Sequence, residues 1–272
     1  MQKTLHSLTR LAAALLFTLT LGAGIAHADF RAGADAYQRG DFARALKEWR
    51  PLANAGDAAA QYNLGIMYDE GRGVKESRKT AIDWWSKAAA KGYAPAQHNL
   101  ASLYLAGDGV KFDIVKARAL LTAAAAQNQA RSLYSLGKLY AYGIGGPVDN
   151  MQAFNLFQRA AEAGFDRAQY NLGKMYRDGE GVSADPVAAA LWFRRAAEQG
   201  YAPAQSRLAA RLRDGEGVLR DDVEAMTWAM LARKQNDLAG AEIVQGLQAR
   251  MTASDIAEAE RRVAAFATRT TP

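Results

Sequence analysis

Ser135 and Lys138 stand in the spacing S-x-x-K. In that arrangement a lysine beside a serine hydroxyl turns it into a nucleophile for acyl transfer. The S-D-N and K-T-G segments that complete such a site are missing, and the same frame elsewhere reads Asn171-Leu-Gly-Lys174. The serine is thus one variant of a recurring segment. A serine hydrolase or β-lactam-binding enzyme using Ser135 and Lys138 stays as the alternative, and a non-catalytic protein is the main reading. Metal chemistry has less support. His98 is the only histidine after residue 28, and a zinc site needs several ligands. The loops Asp178-Gly-Glu-Gly181 and Asp214-Gly-Glu-Gly217 lack the alternating acids of a calcium loop and the Lys-Ser/Thr of a P-loop. No metal and no cofactor is expected.

The segment holding Ser135 occurs five times. AQYNLGIMYDEGRGV begins at Ala60, AQHNLASLYLAGDGV at Ala96 and SLYSLGKLYAYGIGG at Ser132. AQYNLGKMYRDGEGV follows at Ala168 and AQSRLAARLRDGEGV at Ala204. The period is 36 residues without slippage, the mark of a repeat array.

Each copy reads as two helices. In the first, or A, helix, Ala168, Leu172, Gly173, Met175 and Tyr176 recur three and four apart, which makes one buried stripe. Glycine or alanine stands at Gly65, Ala101, Gly137, Gly173 and Ala209, where a minimal side chain lets a neighbouring helix approach. A G-x-G-V turn follows; its first glycine stops the helix and its second allows a tight reversal. The third copy, with Gly146-Pro147, departs from this pattern. The second, or B, helix carries bulky residues and alanines on one face, as in Ala189, Trp192, Phe193, Ala196 and Ala197. Trp84, Trp85 and Trp192 read as core. B helices end at Gly92, Asn128, Gly164, Gly200 and Asn236; asparagine is the residue that can replace glycine at a left-handed cap. Degenerate copies close both ends, for about seven helix pairs in all. The last helix is expected over 255–266, capped by Thr252 or Ser254.

These motifs resemble the Sel1-like repeat family, a relative of the tetratricopeptide repeats. The likeness rests on A-x-x-x-L-G-x-x-Y-x-x-G-x-G-V followed by A-x-x-W-(W/F)-x-x-A-A-x-x-G, and it covers roughly Asp35 to Asn236. It implies an all-α fold, a right-handed α/α superhelix or solenoid of helix-turn-helix repeats. Its A helices would line a concave face that holds other proteins, in a scaffold or adaptor. The lining carried over by the resemblance is Tyr62, Asn63, Asp69, His98, Asn99, Tyr134, Lys138, Tyr142, Tyr170, Asn171, Lys174, Arg177, Arg207 and Arg213. Asparagine and tyrosine can hydrogen-bond a peptide backbone and supply rigid contact. The expected partner is a protein or an extended peptide segment with an acidic end.

The first 28 residues read as a separate object. Lys3 and Arg10 precede and open an apolar run, Leu11 to Leu21, which ends in Ala26-His27-Ala28. That is a secretory signal peptide cut after Ala28, with an apolar core too short for a membrane span. A periplasmic or secreted bacterial protein is expected. The domain reading is 1–28 signal peptide, 29–59 degenerate N-terminal capping repeat, 60–236 repeat array and 237–272 C-terminal capping helices. Without Lys3 and Arg10 the charge falls from +6 to +4, 32 basic against 28 acidic residues. That is too mild to point to nucleic acid. The absence of cysteine excludes disulfides and attachment of lipid to a thiol.

Overall fold

The computed structural model describes residues 30–270, with side chains described to Phe266. The signal-peptide reading lies outside these residues. Among the described residues there are fourteen helices and no strand. Capping repeat α1 (30–38) and α2 (Phe42–Ala55) precede five A/B pairs. The pairs are α3 (Ala58–Glu70) with α4 (Arg78–Ala90), α5 (Ala94–Ala106) with α6 (Ile114–Ala126), and α7 (Ala130–Ala141) with α8 (Asn150–Glu162). Then come α9 (Asp166–Asp178) with α10 (Pro186–Glu198) and α11 (Ala202–Asp214) with α12 (Asp222–Lys234). Helices α13 (Leu238–Gln248) and α14 (Ala253–Thr270) end the chain and pack on α12. The chain divides into two compact units, one ending at Ala124 and one beginning at Ala125. Within each, consecutive helices pack pairwise, the all-α solenoid class.

The B helices start where they do because a small polar cap recurs every 36 residues. Asp41, Ser77, Asp113, Asp149, Asp185 and Asp221 each accept a backbone N–H from the first turn, at 2.8–3.2 Å. Such a cap is worth about 1 kcal/mol. The backbone N–H of the same residue, from Ser77 onward, donates to a carbonyl near the end of its A helix and closes the loop: Tyr68, Tyr104, Tyr140, Tyr176 and Leu212. The deviating third loop keeps this bond at 3.0 Å, so Gly146-Pro147 changes its surface and not its closure. The B-helix ends behave as the sequence predicts. Asn128 and Asn236 have φ of 58° and 63°, beside Gly92, Gly164 and Gly200 at 82–88°. At the C-terminus Thr252 is the cap and accepts from Asp255 N, but α14 begins at Ala253 and runs four residues past Phe266.

The A-helix glycines are explained by what faces them. A Cβ on Gly65 would lie 2.2 Å from the Trp85 indole, one on Gly137 2.7 Å from Phe157, and one on Gly173 2.8 Å from Phe193. Where the A helix carries Ala101 or Ala209 instead, the B-helix residue twenty positions on is Leu121 or Ala229. Glycine therefore accompanies an aromatic ring and alanine an aliphatic side chain, so the smallest residue stands where the facing group is bulkiest. Trp85 and Trp192 are buried as expected, while Trp84 is half-buried under the Lys87 ammonium, 4.0 Å from its ring.

In the fourth and fifth repeats the second loop glycine does more than reverse the chain. A Cβ on Gly181 would lie 2.2 Å from the Asn150 carbonyl oxygen, and one on Gly217 2.0 Å from that of Pro186. These two loops are seated directly on the first turn of the preceding B helix, backbone against backbone, whereas Gly109 faces the side chains of Arg78 and Ile82.

Buried glutamines join repeats through their polar groups. The side-chain amides of Gln61, Gln97, Gln169 and Gln205 donate to the carbonyls of Ala53, Ala89, Ala161 and Ala197, near the ends of the preceding B helices, at 3.0–3.4 Å. Leu133 cannot do this, and Arg159 supplies the missing donor to Ala125 O at 2.9 Å. The oxygens of Gln169 and Gln205 in turn accept from Gln199 and Gln235. At the first repeat that partner is Lys91, whose ammonium goes to Gly56 O, and Gln61 Oε1 is buried without a partner. Gln235 donates both to Gly200 O and to Gln205 Oε1, so Lys91→Gln should satisfy both acceptors. We expect it to raise the urea midpoint, with a gain of about 1 kcal/mol. A midpoint at or below wild type would refute this account.

Candidate binding surface

In the first unit the predicted lining lies on α3 and α5. The Tyr62 ring rests on Tyr93, with centroids 5.4 Å apart. Asn63, His98 and Asn99 are half-buried. Asp69 is paired with Arg78, which also reaches Asp108 at 3.2 Å. Burial pushes its carboxyl up, and the Arg78 charge opposes that shift.

In the second unit α7, α9 and α11 carry the rest. Tyr134 sits between Phe157 and Phe165, at 5.6 and 5.1 Å, and its hydroxyl is 3.5 Å from Asn171 Nδ2. Burial raises its phenol above the usual range. Tyr170 makes the equivalent contacts with Phe193 and Tyr201, at 5.8 and 5.3 Å. These pairs explain why an aromatic residue so often precedes an A helix. Tyr93, Phe165 and Tyr201 occupy the N-cap position without a capping side chain and pack against the tyrosine of the previous repeat. Tyr142 is 61% exposed. Lys138 lies 5.9 Å from the Tyr134 ring centroid.

The cations differ in availability. Arg177 is clasped by Asp178 through two bonds of 2.6 Å, and Arg213 by Asp214 through two of 2.7 Å. Those bonds hold both carboxyls below their ordinary range. Lys138, Lys174 and Arg207 make no ion pair among the described residues. Three of the predicted residues, Tyr142, Asn171 and Lys174, meet at one cavity of about 350 Å³ that also touches Val148, Phe157 and Glu180. It lies where the third loop meets α9.

Arg211 is a residue the sequence pattern hid. It occupies the inner-stripe position held by Met67, Leu103, Leu139 and Met175 in the other copies, and it is 6% exposed. Its guanidinium lies 5.9 Å from the Phe193 ring and 3.2 Å from a Glu216 carboxylate oxygen. Burial lowers its pKa, opposed by Glu216 and reinforced by Arg177 and Arg207. Among the described residues no three acids, histidines or cysteines are placed to hold a metal ion, and no helix is long and apolar enough to cross a membrane.

A family model, the Sel1 repeat, matches residues 58–93, 94–129, 130–165, 166–201 and 202–237. The solved structure of a Sel1 repeat protein from Oxalobacter formigenes is similar at 27% identity and a TM-score of 0.74, covering 90% of this chain and 97% of that one. A second, c5321, a protective antigen of uropathogenic Escherichia coli with an SLR fold, is 24% identical with a TM-score of 0.48. That match covers 94% and 71% of the two chains. No curated protein matches. Five contiguous matches in the 36-residue register, on helix pairs that pack as these do, show that the chain belongs to the Sel1 repeat family.

Proposed function

We propose that the protein is a non-catalytic interaction scaffold or adaptor of the bacterial cell envelope, periplasmic or secreted, that holds a protein or extended peptide segment. Sel1 repeats commonly serve as protein-interaction scaffolds. The binding face is the A-helix surface of the second unit, and its occupant carries acidic residues. One observation supports this above the others. Lys138, Lys174 and Arg207 make no ion pair among the described residues and stand beside a tyrosine–asparagine surface, while the neighbouring Arg177 and Arg213 are clasped within the chain. Such cations steer an acidic segment at long range, and tyrosine and asparagine supply contact and backbone hydrogen bonds.

Affinity capture with the mature protein on envelope extract identifies the partner, and the triple variant Lys174→Glu, Arg177→Glu, Arg207→Glu tests the face. Wild-type affinity should fall as salt rises, because screening shortens the field. The variant should bind poorly at every salt concentration, since single exposed contacts of under about 1 kcal/mol act here together. A folded triple variant that binds as wild type does would move the partner to the loops or the opposite face.

A further inference from the structure

Within the second unit, the cavity at Tyr142, Asn171 and Lys174 has a counterpart one repeat later. Its lining residues advanced by 36 positions include Arg177, Asp178, Phe193, Arg207, Arg211 and Glu216. These residues gather in space. Arg211 is stacked near Phe193, bonded to Glu216, and within electrostatic reach of Arg177, Asp178 and Arg207. The two places are chemically unlike: the first has one lysine and one acid, Lys174 and Glu180, among neutral groups, and the second has three arginines with Asp178 and Glu216.

Arg211 is the unusual member. Four other copies place methionine or leucine here, and an apolar residue of similar volume is generally at least as stable as a buried ion. Folding therefore gives no reason for an arginine at this one copy. Its partner is informative too. Glu216 lies in a solvent-facing loop with its side chain 61% exposed, against 7% for Arg211. A buried fork of donors is thus covered by a carboxylate that can leave for water at little cost. Arg177 is already clasped by Asp178, while the exposed Arg207 makes no ion pair among the described residues and adds a charge at the rim.

We propose that Arg211, with Arg207 beside it and the Phe193 ring at its side, is an anchor for a carboxylate of the bound segment, a place held in the free protein by the chain's own Glu216. This rests on the peptide-binding reading and adds a specific contact to it. Arginine suits the role because its planar donors match a carboxylate in two bonds, and a half-desolvated site strengthens them. The carboxylate can come from an acidic side chain or from a chain terminus.

The test uses two fluorescein-labelled probes at low salt, read by anisotropy. One is hexaglutamate amidated at its C-terminus; the other is a Gly-Ser hexapeptide with a free carboxylate, with its amide as control. Glu216→Gln should tighten binding severalfold, because the competing carboxylate is gone. Arg211→Met should weaken it by about tenfold or more and melt at or above the wild-type temperature, since Met67 and Met175 fill this position elsewhere. Binding of amidated hexaglutamate identifies side chains as the source, and binding of the free acid but not its amide identifies a terminus. Unchanged affinity in Arg211→Met, weaker affinity in Glu216→Gln, or no binding by wild type overturns the anchor. If Arg211→Met binds normally while the Lys174, Arg177 and Arg207 variant does not, the anchor fails and the binding face stands. If neither matters, both fail.

Discussion

Gly217→Ala should be far more damaging than Gly200→Ala, although both residues are left-handed glycines with φ of 73° and 88°. At Gly200 nothing lies within 4 Å of the new methyl group. Only the backbone cost remains there, about 1–2 kcal/mol. At Gly217 the methyl would sit 2.0 Å from the Pro186 carbonyl oxygen, and backbone cannot turn aside as a flexible side chain can. The loop must lift from α10, so overpacking adds to the conformational cost for a total of about 2–5 kcal/mol. Urea denaturation followed by far-UV circular dichroism compares the two variants with wild type. Equal midpoints would mean that the loop glycine serves only the turn.

The second large effect is expected where α9 meets α10. Gly173→Leu should lose about 3 kcal/mol or more, the upper end for overpacking, because even its Cβ would press 2.8 Å from the Phe193 ring and 3.2 Å from Ala189 O. The informative form is a cycle of Gly173→Ala and Phe193→Leu. The first overfills the contact and the second leaves a void. Together they recreate the Ala101 with Leu121 arrangement of the second repeat. The double variant should be more stable than the sum of the singles by about 1–3 kcal/mol, the range for touching residues. Strict additivity would show that the twenty-residue pairing of glycine with aromatic rings has no energetic content.

What was legible in the sequence was whatever a repeat states about itself. Helix pairs, their buried stripes and the Gly/Asn caps recur at 36 residues, and the structure has them in those places. The coupling of Gly173 with Phe193 and Gly65 with Trp85 was also on the page, but it shows only when two columns of the repeat are compared. The seating of Gly217 on Pro186 joins residues from different copies, and no spacing within one copy announces it. The binding surface was less legible for a related reason. Charge is counted from sequence, but availability depends on pairing. Arg177 with Asp178 and Arg213 with Asp214 are adjacent residues that helix geometry does not place face to face, yet each pair bonds twice near a helix end. Arg211 was hidden because a stripe defined by methionine and leucine leads a reader to pass over an arginine in it.

The seating of Gly181 and Gly217 on the preceding B helices has a consequence for how these repeats come into being. The contact points backward along the chain: Gly217 needs the start of α10, Gly181 the start of α8, and Gln205 the end of α10. A repeat can complete these contacts once its predecessor stands. A chain emerging N-terminus first, from a ribosome or through a membrane pore, delivers these platforms before the loops that will sit on them. For these contacts assembly in the order of synthesis meets no waiting step, and the same contacts formed from the other end would each have to wait for a surface not yet made.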